Sequence, residues 1–286
     1  MRRIQNMLKQ KASETKIPLW IIEKDYAISY LLAGISEVPI LCDLLVLKGG
    51  TALKKTYFQK FRFSEDLDFS TCSHHNDSEM KEGIVRAANI MEKLLMERGP
   101  FSVQSSLLEL RLPHPKRQIA YIIRVQFPYQ REAIGRLKVE ITVDEPAFLP
   151  PETRLVLHDY DEAINTKTKV YQLSEIVAEK YRALLQSLER LRKKGWGASR
   201  VCRDYYDLWW VLGEVELNNY DIPSLTDKKC EVRSVAYNHP DTFFDDALVE
   251  VAKKEWNKIL TPFIPKQVPV DKVLAELKYF TQQLWQ

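Results

Sequence analysis

The sequence predicts an α+β protein with a mixed α/β N-terminal half and a helical C-terminal half. Short runs rich in β-branched and aromatic residues, typical of strands, recur with helical segments between residues 44 and 145. From about residue 170 onward, apolar residues recur at intervals of three and four, which is typical of helices. A chain of 286 residues is long enough for one or two domains. We expect two, at residues 1–165 and 166–286.

The individual helices and strands are predicted from hydrophobic periodicity and from the glycine and proline residues that end them. In the N-terminal half, helices are predicted at residues 17–35, 51–58 and 78–98, and strands at residues 44–47, 62–70, 102–112, 119–129, 136–145 and 154–160. In the C-terminal half, helices are predicted at residues 172–194, 200–215, 247–260 and 271–286. The region 214–242 has weak periodicity and stays unassigned.

Composition and charge exclude several classes of protein. Hydrophobic residues make up 45% and charged residues 28%, values that exclude a disordered or collagen-like chain. The net charge of +3 does not by itself indicate a nucleic-acid or membrane binder. The apolar stretches are too short to span a bilayer, and no signal peptide is apparent. The four cysteines are scattered, which favours free thiols in a cytoplasmic protein and disfavours a zinc site.

Two carboxylates occupy one face of the predicted strand at 62–70. Asp66 and Asp68 are two residues apart, so both side chains project from the same side. At an effective dielectric constant near 20, two such charges repel by about 2.5 kcal/mol. A divalent cation, Mg²⁺ or Mn²⁺, is the usual way to offset that repulsion. The alternative is an ordinary solvated strand face.

A glycine pair precedes this strand. Gly49 and Gly50 end the apolar run at 44–47, and Thr51 is expected to cap the helix that follows. This arrangement presents backbone amides where a phosphate can bind, although a simple tight turn would also need the glycines. Glu140, on a later predicted strand, offers a third carboxylate, with Asp144 as the competing choice. Together these features predict a nucleotide site for two-metal phosphoryl transfer.

The motifs LKGGTAL and RFSEDLDF resemble the first two motifs of the DNA polymerase β-like nucleotidyltransferases, in the form found in the AbiEii/AbiGii toxin family, which includes the MenT toxins. A helical motif of the form ExxxxKxxAL is matched by Glu175, Lys180, Ala183 and Leu184, and the segment 203–208 resembles the fourth family motif. The resemblance implies a nucleotidyltransferase-fold N-terminal domain, with a mixed sheet flanked by helices, followed by a helical bundle domain. The active site is expected in the cleft between them.

The resemblance also implies the roles of individual residues. The catalytic set that it implies is Asp66, Asp68, Glu140, Lys180 and Asp207, with Asp204 as the reserve for Asp207. Asp66 and Asp68 would hold the metal, and the nucleotide-binding set is Lys48, Gly49, Gly50, Thr51 and Ser64. Lys180 also falls on the apolar stripe of its helix, so it must reach solvent, pair with an acid or face a polar cleft.

The family further implies transfer of a nucleoside monophosphate from an NTP to RNA, notably the tRNA 3′ end in some members, and a toxin opposed by a separate antitoxin or active in phage defence. Residues 182–203 carry seven basic residues and one acidic residue, a local charge of +6. This segment is a candidate RNA-binding track, or else a solvated face. Its candidate residues are Arg190, Arg192, Lys193, Lys194 and Arg200. The alternatives are transfer to a small molecule or a protein hydroxyl, and a non-catalytic nucleotide- or partner-binding module.

Overall fold

The computed structural model of the protein describes residues 2–72, 76–109, 118–143, 145, 147–217 and 221–286. The chain divides into two compact units, Met1–Tyr171 and Gln172–Gln286. All four cysteines are free, as the sequence predicts. In the described part of the chain, no helix has both the length and the apolar character needed to cross a membrane.

In its described residues, the first unit is a seven-stranded mixed sheet with helices. Its described α-helices are α1 (Arg2–Thr15), α2 (Leu19–Ser36), α3 (Pro39–Leu44), α4 (Gly49–Ala52) and α5 (Asp77–Met96), and α4 continues as a π-helical segment, Leu53–Tyr57. Its strands are β1 (Leu45–Lys48), β2 (Asp66–Thr71), β3 (Ser102–Leu108), β4 (Gln118–Gln126), β5 (Gly135–Thr142), β6 (Glu152–Leu155) and β7 (Lys167–Val170). The strand order is β3-β4-β5-β2-β1-β7-β6. The β1–β7 and β2–β5 pairs are parallel and the remaining pairs antiparallel, so the predicted mixed sheet is confirmed.

Burial explains why the central strands form where they do. Every residue of β1 is buried, because β1 lies between β2 and β7 inside the sheet. In β2, Leu67 and Phe69 are fully buried, whereas Asp66 and Asp68 on the other face are half-buried. The apolar side of β2 therefore fixes the face from which the two carboxylates project.

Some elements of the first unit differ from the prediction. α1, α3 and β7 were not expected. Among the residues of α1 whose burial is described, only Ile4 and Leu8 are buried, α3 is a helix of six residues, and β7 is a four-residue strand containing two lysines. The last predicted strand, 154–160, is displaced: β6 ends at Leu155. Beyond it the backbone amide of Leu157 donates to the carbonyl of Lys55 at 2.6 Å, outside the strand pairing.

The second unit is helical, as predicted. Its described α-helices are α6 (Leu173–Lys194), α7 (Val201–Glu214), α8 (Ile222–Arg233), α9 (Asp246–Leu260) and α10 (Val270–Leu284), with short 3-10 helices at Pro240–Phe244 and Thr261–Phe263. α8 falls in the region that the sequence pattern leaves unassigned. Its start is marked by Asp221, whose side chain accepts a hydrogen bond from the amide of Ser224 at 2.9 Å. Aromatic rings fill part of this core: the ring of Tyr181 lies 4.7 Å from that of Phe243 and 4.9 Å from that of Trp285.

Candidate active site

The two glycines of the first motif pack directly against the second motif. Gly49 has a φ of +70°, and a Cβ at this position would lie 2.9 Å from Oδ2 of Asp68. A Cβ at Gly50 would lie 2.7 Å from Nη2 of Arg62 and 3.3 Å from Oγ of Ser64. Each glycine therefore sits where a side chain would displace a polar group of the second motif. Arg62 was not predicted from the sequence, although it opens the strand motif two positions before Ser64.

Thr51 does not occupy the helix-capping position that the sequence pattern predicts. α4 begins at Gly49 with Lys48 at its N-cap, so the expectation that Thr51 caps this helix is wrong. The left-handed conformation of Gly49 starts the helix immediately after β1, two residues earlier than expected. Thr51 is buried, and its hydroxyl donates to the backbone carbonyl of Asp66. It thereby ties α4 to the first residue of β2.

Strand register aligns several predicted site residues on one face of the sheet. Asp68 is the direct partner of Lys48 on β1 and of Glu140 on β5. Asp66, two residues away on the same face, is the partner of Lys138, whose Nζ lies 2.8 Å from Oε1 of Glu140. Glu140 is thus brought beside the Asp66–Asp68 pair. The competing residue Asp144 lies outside the described residues.

The electrostatic environment of Asp66 disfavours its negative charge. Burial raises the pKa of this carboxyl above its usual value, and the charges of Glu65 and Glu140 raise it further. Lys138 and Lys24 lower the pKa but do not reverse its direction. A bound cation would relieve this unfavourable field.

These residues fit a divalent ion that is held together with a substrate. Within the described ranges, no group of three or more His, Cys, Asp or Glu side chains is assembled that could hold a metal by itself. Mg²⁺ commonly takes one or two protein carboxylates and completes its shell with water and phosphate oxygens. Asp66 and Asp68 supply such a pair, and burial together with the charges of Glu65 and Glu140 raises the pKa of Asp66, so a cation bound there would stabilise its charged form. The donor set therefore suits Mg²⁺ or Mn²⁺ bound with a triphosphate.

Lys48, the first predicted nucleotide-binding residue, is nearly buried. Its Nζ lies 3.6 Å from Oε2 of Glu145 and 5.9 Å from the ring centroid of Tyr171. Glu145 is fully buried, so this ion pair restrains Lys48 beside Asp68, its partner on β2. Glu145, which follows directly after Asp144, was not predicted from the sequence.

In the second unit, Lys180 on α6 is held by two aspartates of α7. Its Nζ lies 2.6 Å from Oδ2 of Asp207 and 2.8 Å from Oδ1 of Asp204. The sequence left open which aspartate belongs to the site, and the structure brings both to the lysine. Asp207 is fully buried at its side chain, whereas Asp204 is 11% exposed. The sequence allowed Lys180 to reach solvent, pair with an acid or face a polar cleft. The structure shows that it pairs with acidic residues.

Glu175, the first residue of the helical motif, contacts a different lysine. Its Oε1 lies 2.8 Å from Nζ of Lys229 on α8, and both side chains are fully buried. Breaking a buried ion pair of this kind costs about 3–5 kcal/mol. Glu175 therefore fixes α6 against α8. Lys229 could not be predicted from the sequence, because α8 has little apolar periodicity.

The basic segment is exposed but partly compensated. All five candidate RNA-binding residues are exposed: Arg190, Arg192, Lys193, Lys194 and Arg200. Arg192 lies 2.8 Å from Asp245, and Lys193 lies 3.6 Å from Glu189. Arg182, by contrast, is buried and pairs with Glu179 at 2.8 Å. The positive surface of this segment is therefore smaller than the local charge of +6 in the sequence indicates.

Comparison with known proteins relates this arrangement to one family. A solved structure that resembles the chain is MenT4, a nucleotidyltransferase toxin from Mycobacterium tuberculosis, with a TM-score of 0.66 and 18% sequence identity. The alignment covers 97% of this chain and 89% of MenT4, which shows a shared fold. A search of curated protein sequences gave no significant match. The profile of the nucleotidyl transferase AbiEii toxins of type IV toxin–antitoxin systems matches residues 30–276, which include every predicted site residue. The chain therefore belongs to the AbiEii family of nucleotidyltransferase toxins.

Proposed function

We propose that the protein transfers a nucleoside monophosphate from an NTP to RNA, with tRNA 3′ ends as the first acceptor to test, and that the reaction depends on Mg²⁺ or Mn²⁺. The observation that carries the proposal is the aligned row of Lys48, Asp68 and Glu140, with the backbone of Gly49 against the Asp68 carboxylate. It combines acidic oxygens for a cation with backbone that a phosphate can approach closely.

Within the first unit, Asp66 and Asp68 would hold the cation, whose chemistry when bound is to neutralise charge on the phosphoryl oxygens. The amides of Gly49 and Gly50 would bind phosphate oxygens, assisted by the hydroxyl of Ser64. Thr51 contributes by holding α4 against Asp66. Glu140 would complete the site or accept the proton of the attacking hydroxyl.

In the second unit, Lys180 would neutralise phosphate charge. Its two short contacts fix the position of an ammonium group that would otherwise sample many rotamers. Asp207 and Asp204 would act as positioning residues for that group. An ammonium group held in place in this way needs no reorganisation when charge develops on the substrate.

The RNA acceptor is supported by the five exposed basic residues between Arg190 and Arg200. A toxin of this kind would act in the cytoplasm, be opposed by a separate antitoxin and serve in phage defence. A small-molecule or protein acceptor would not need the basic segment. Substitutions in that segment therefore distinguish an RNA acceptor from the other two.

The decisive experiment incubates the purified protein with Mg²⁺ or Mn²⁺, total tRNA and each labelled NTP in turn. We expect label in RNA with the wild type and none with Asp66→Ala. Label in a protein or a small molecule instead would overturn the RNA assignment but would still support the proposed transferase activity. Absence of both transfer and nucleotide binding would overturn the whole proposal.

A second measurement tests the basic segment. In the Lys193→Gln/Lys194→Gln variant we expect weaker RNA binding and a shallower dependence of affinity on salt, by about 1.5 units in the log–log slope for two lost phosphate contacts. The matched control is Lys272→Gln/Lys278→Gln, which removes two exposed lysines of α10 in the same unit. Equal salt dependence in both variants would contradict a role for the segment.

A further inference from the structure

Two arginines face each other on the carboxylate face of the sheet. Arg124 on β4 and Arg136 on β5 are direct cross-strand partners, and both side chains are exposed. Direct partners project from the same face of a sheet, with Cβ atoms about 4.5–5.5 Å apart. Like charges at such positions destabilise the strand pair. An anion bound by both arginines would remove that cost.

The residues around this pair supply no negative charge to compensate it. The other direct partner of Arg124 is Gln104 on β3, which is exposed as well. We call Gln104, Arg124 and Arg136 the basic row. Two positions along the strands, the neighbours of the basic row on the same face are uncharged or basic: Ser102, Ser106, Ile122, Gln126 and Lys138. The next acidic residue of this face on β5 is Glu140, which already lies 2.8 Å from Lys138.

Strand register places the basic row close to the predicted metal ligands. Arg136 precedes Lys138 by two residues, and Lys138 is the direct partner of Asp66 on β2. Neighbouring strands are about 4.8 Å apart and two residues span about 6.8 Å, so the Cα atoms of Arg136 and Asp66 are separated by about 8 Å. Arg124 lies one strand further away, with its Cα about 12 Å from that of Asp66. The basic row therefore begins next to the carboxylates, on the same face.

The basic row and the glycine pair lie on opposite sides of β2. In the sheet, β1 is one neighbour of β2 and β5 is the other. Gly49 and Gly50 directly follow β1, whereas the basic row occupies β5, β4 and β3. An NTP whose phosphates bind to the glycine amides would thus leave the basic row open to a second substrate.

We propose that the basic row binds the phosphate backbone of the acceptor RNA and directs its 3′ end to Asp66 and Asp68. The inference rests on the proposed function and deepens it by assigning an RNA-binding surface in the first unit. Guanidinium groups are planar donors that match phosphate oxygens, and Gln104 adds an uncharged donor beside them. An acidic protein would also complement the charge, but it could bind anywhere on the surface. An acceptor has to pass beside the carboxylates to react, and this position favours RNA.

The test measures equilibrium binding of tRNA to the Arg124→Gln/Arg136→Gln variant over a range of salt concentrations. We expect affinity to fall about 10-fold at physiological salt and the log–log slope to become shallower by about 1.5 units, for two lost phosphate contacts. Because a like-charge pair is removed, the Tm of the variant should be at least that of the wild type. The matched control is Lys81→Gln/Arg86→Gln, which removes two exposed basic residues of α5 in the same unit and should bind tRNA like the wild type.

Turnover and NTP binding distinguish the two substrates. The Arg124→Gln/Arg136→Gln variant should raise KM for tRNA and leave unchanged both KM for the NTP and the binding of a non-hydrolysable NTP analogue with Mg²⁺. Weaker binding of the analogue would assign the arginines to the triphosphate and overturn the inference. Unchanged tRNA affinity and salt slope would also overturn it, while the transferase proposal stood.

Poly-L-glutamate is the probe for an acidic protein partner. If it bound the wild type more tightly than tRNA and lost that affinity in the Arg124→Gln/Arg136→Gln variant, the basic row would belong to a protein interface and the inference would be wrong. If the wild type neither bound nor labelled RNA, both this inference and the RNA-directed function would fail.

Discussion

The backbone of Gly49 lies against the carboxylate of Asp68, so closely that a Cβ at residue 49 would be 2.9 Å from Oδ2. Gly49 also has a φ of +70°, a conformation in which other residues are strained. The first glycine of one motif and the second aspartate of the other thus occupy positions that depend on each other. A substitution at either residue should disturb both.

Gly49→Ala tests this dependence. We expect a loss of about 1–2 kcal/mol in unfolding free energy from the left-handed backbone, together with strongly reduced NTP binding, because the new methyl group displaces Asp68. The matched control is Gly195→Ala, since Gly195 has a φ of +72° but a Cβ there would meet nothing within 4 Å. It should show a similar stability loss with NTP binding preserved. Equal NTP binding in the two variants would contradict the contact with Asp68.

Asp66→Asn should separate stability from activity. Because burial and neighbouring acids disfavour the charge of Asp66, we expect the variant to be at least as resistant to urea as the wild type. Transfer activity should fall about 100-fold or more, since the loss of a cation ligand removes several kcal/mol of transition-state stabilisation. Mg²⁺ with a non-hydrolysable NTP should raise the Tm of the wild type and not that of the variant. A shared Tm increase would argue against Asp66 as a metal ligand.

Lys180→Met removes the partner of two aspartates. We expect a loss of about 3–5 kcal/mol in unfolding free energy, because the buried carboxylate of Asp207 loses its 2.6 Å contact with the Lys180 ammonium group. The double variant Lys180→Met/Asp207→Asn should recover much of that stability, since the buried charge is gone. Transfer activity should remain lost in both variants. Recovery of activity together with stability in the double variant would show that Lys180 is only structural.

The lowered pKa of Glu162 predicts that the stability of the first unit depends on pH. Burial alone would raise the pKa of this carboxyl, but hydrogen bonds from His158, Tyr26 and Tyr30 outweigh it and lower the pKa from 4.5 to about 2. Because the folded-state pKa is depressed, the stabilisation is present above pH 4.5 and is lost as the pH falls towards 2.

We therefore expect Glu162→Gln to lower the unfolding free energy by about 1–3 kcal/mol at pH 7, with the difference shrinking as the pH approaches 2. Urea denaturation at several pH values measures this. Glu189→Gln is the control, because Glu189 forms an exposed pair with Lys193 at 3.6 Å and should change stability by less than about 0.5 kcal/mol at any pH. A pH-independent loss in Glu162→Gln would show that the carboxylate charge is not the source of the stabilisation.

Local pattern was enough to predict the strand–helix–strand order of β1, α4 and β2 and the helical second half, whereas the mixed sheet was implied by the family resemblance. Alternation buries Leu67 and Phe69, and this alone places Asp66 and Asp68 on one face. The glycine pair marks a close backbone approach, because only residues without a Cβ fit there. These signals depend only on residues that are close in sequence, so they can be recognised without the structure.

Only the tertiary structure decided which distant residues meet. Pairing of β2 with β5 set Glu140 beside Asp68, and packing of α6 on α7 brought both Asp204 and Asp207 to Lys180. The contact between Lys24 and Glu65 could not be predicted either, because the two residues are 41 positions apart in the sequence. Strand register and helix packing follow from the burial of whole faces, which no short stretch of sequence encodes. The sequence by itself thus determined the kinds of chemical group present, and the fold determined their partners.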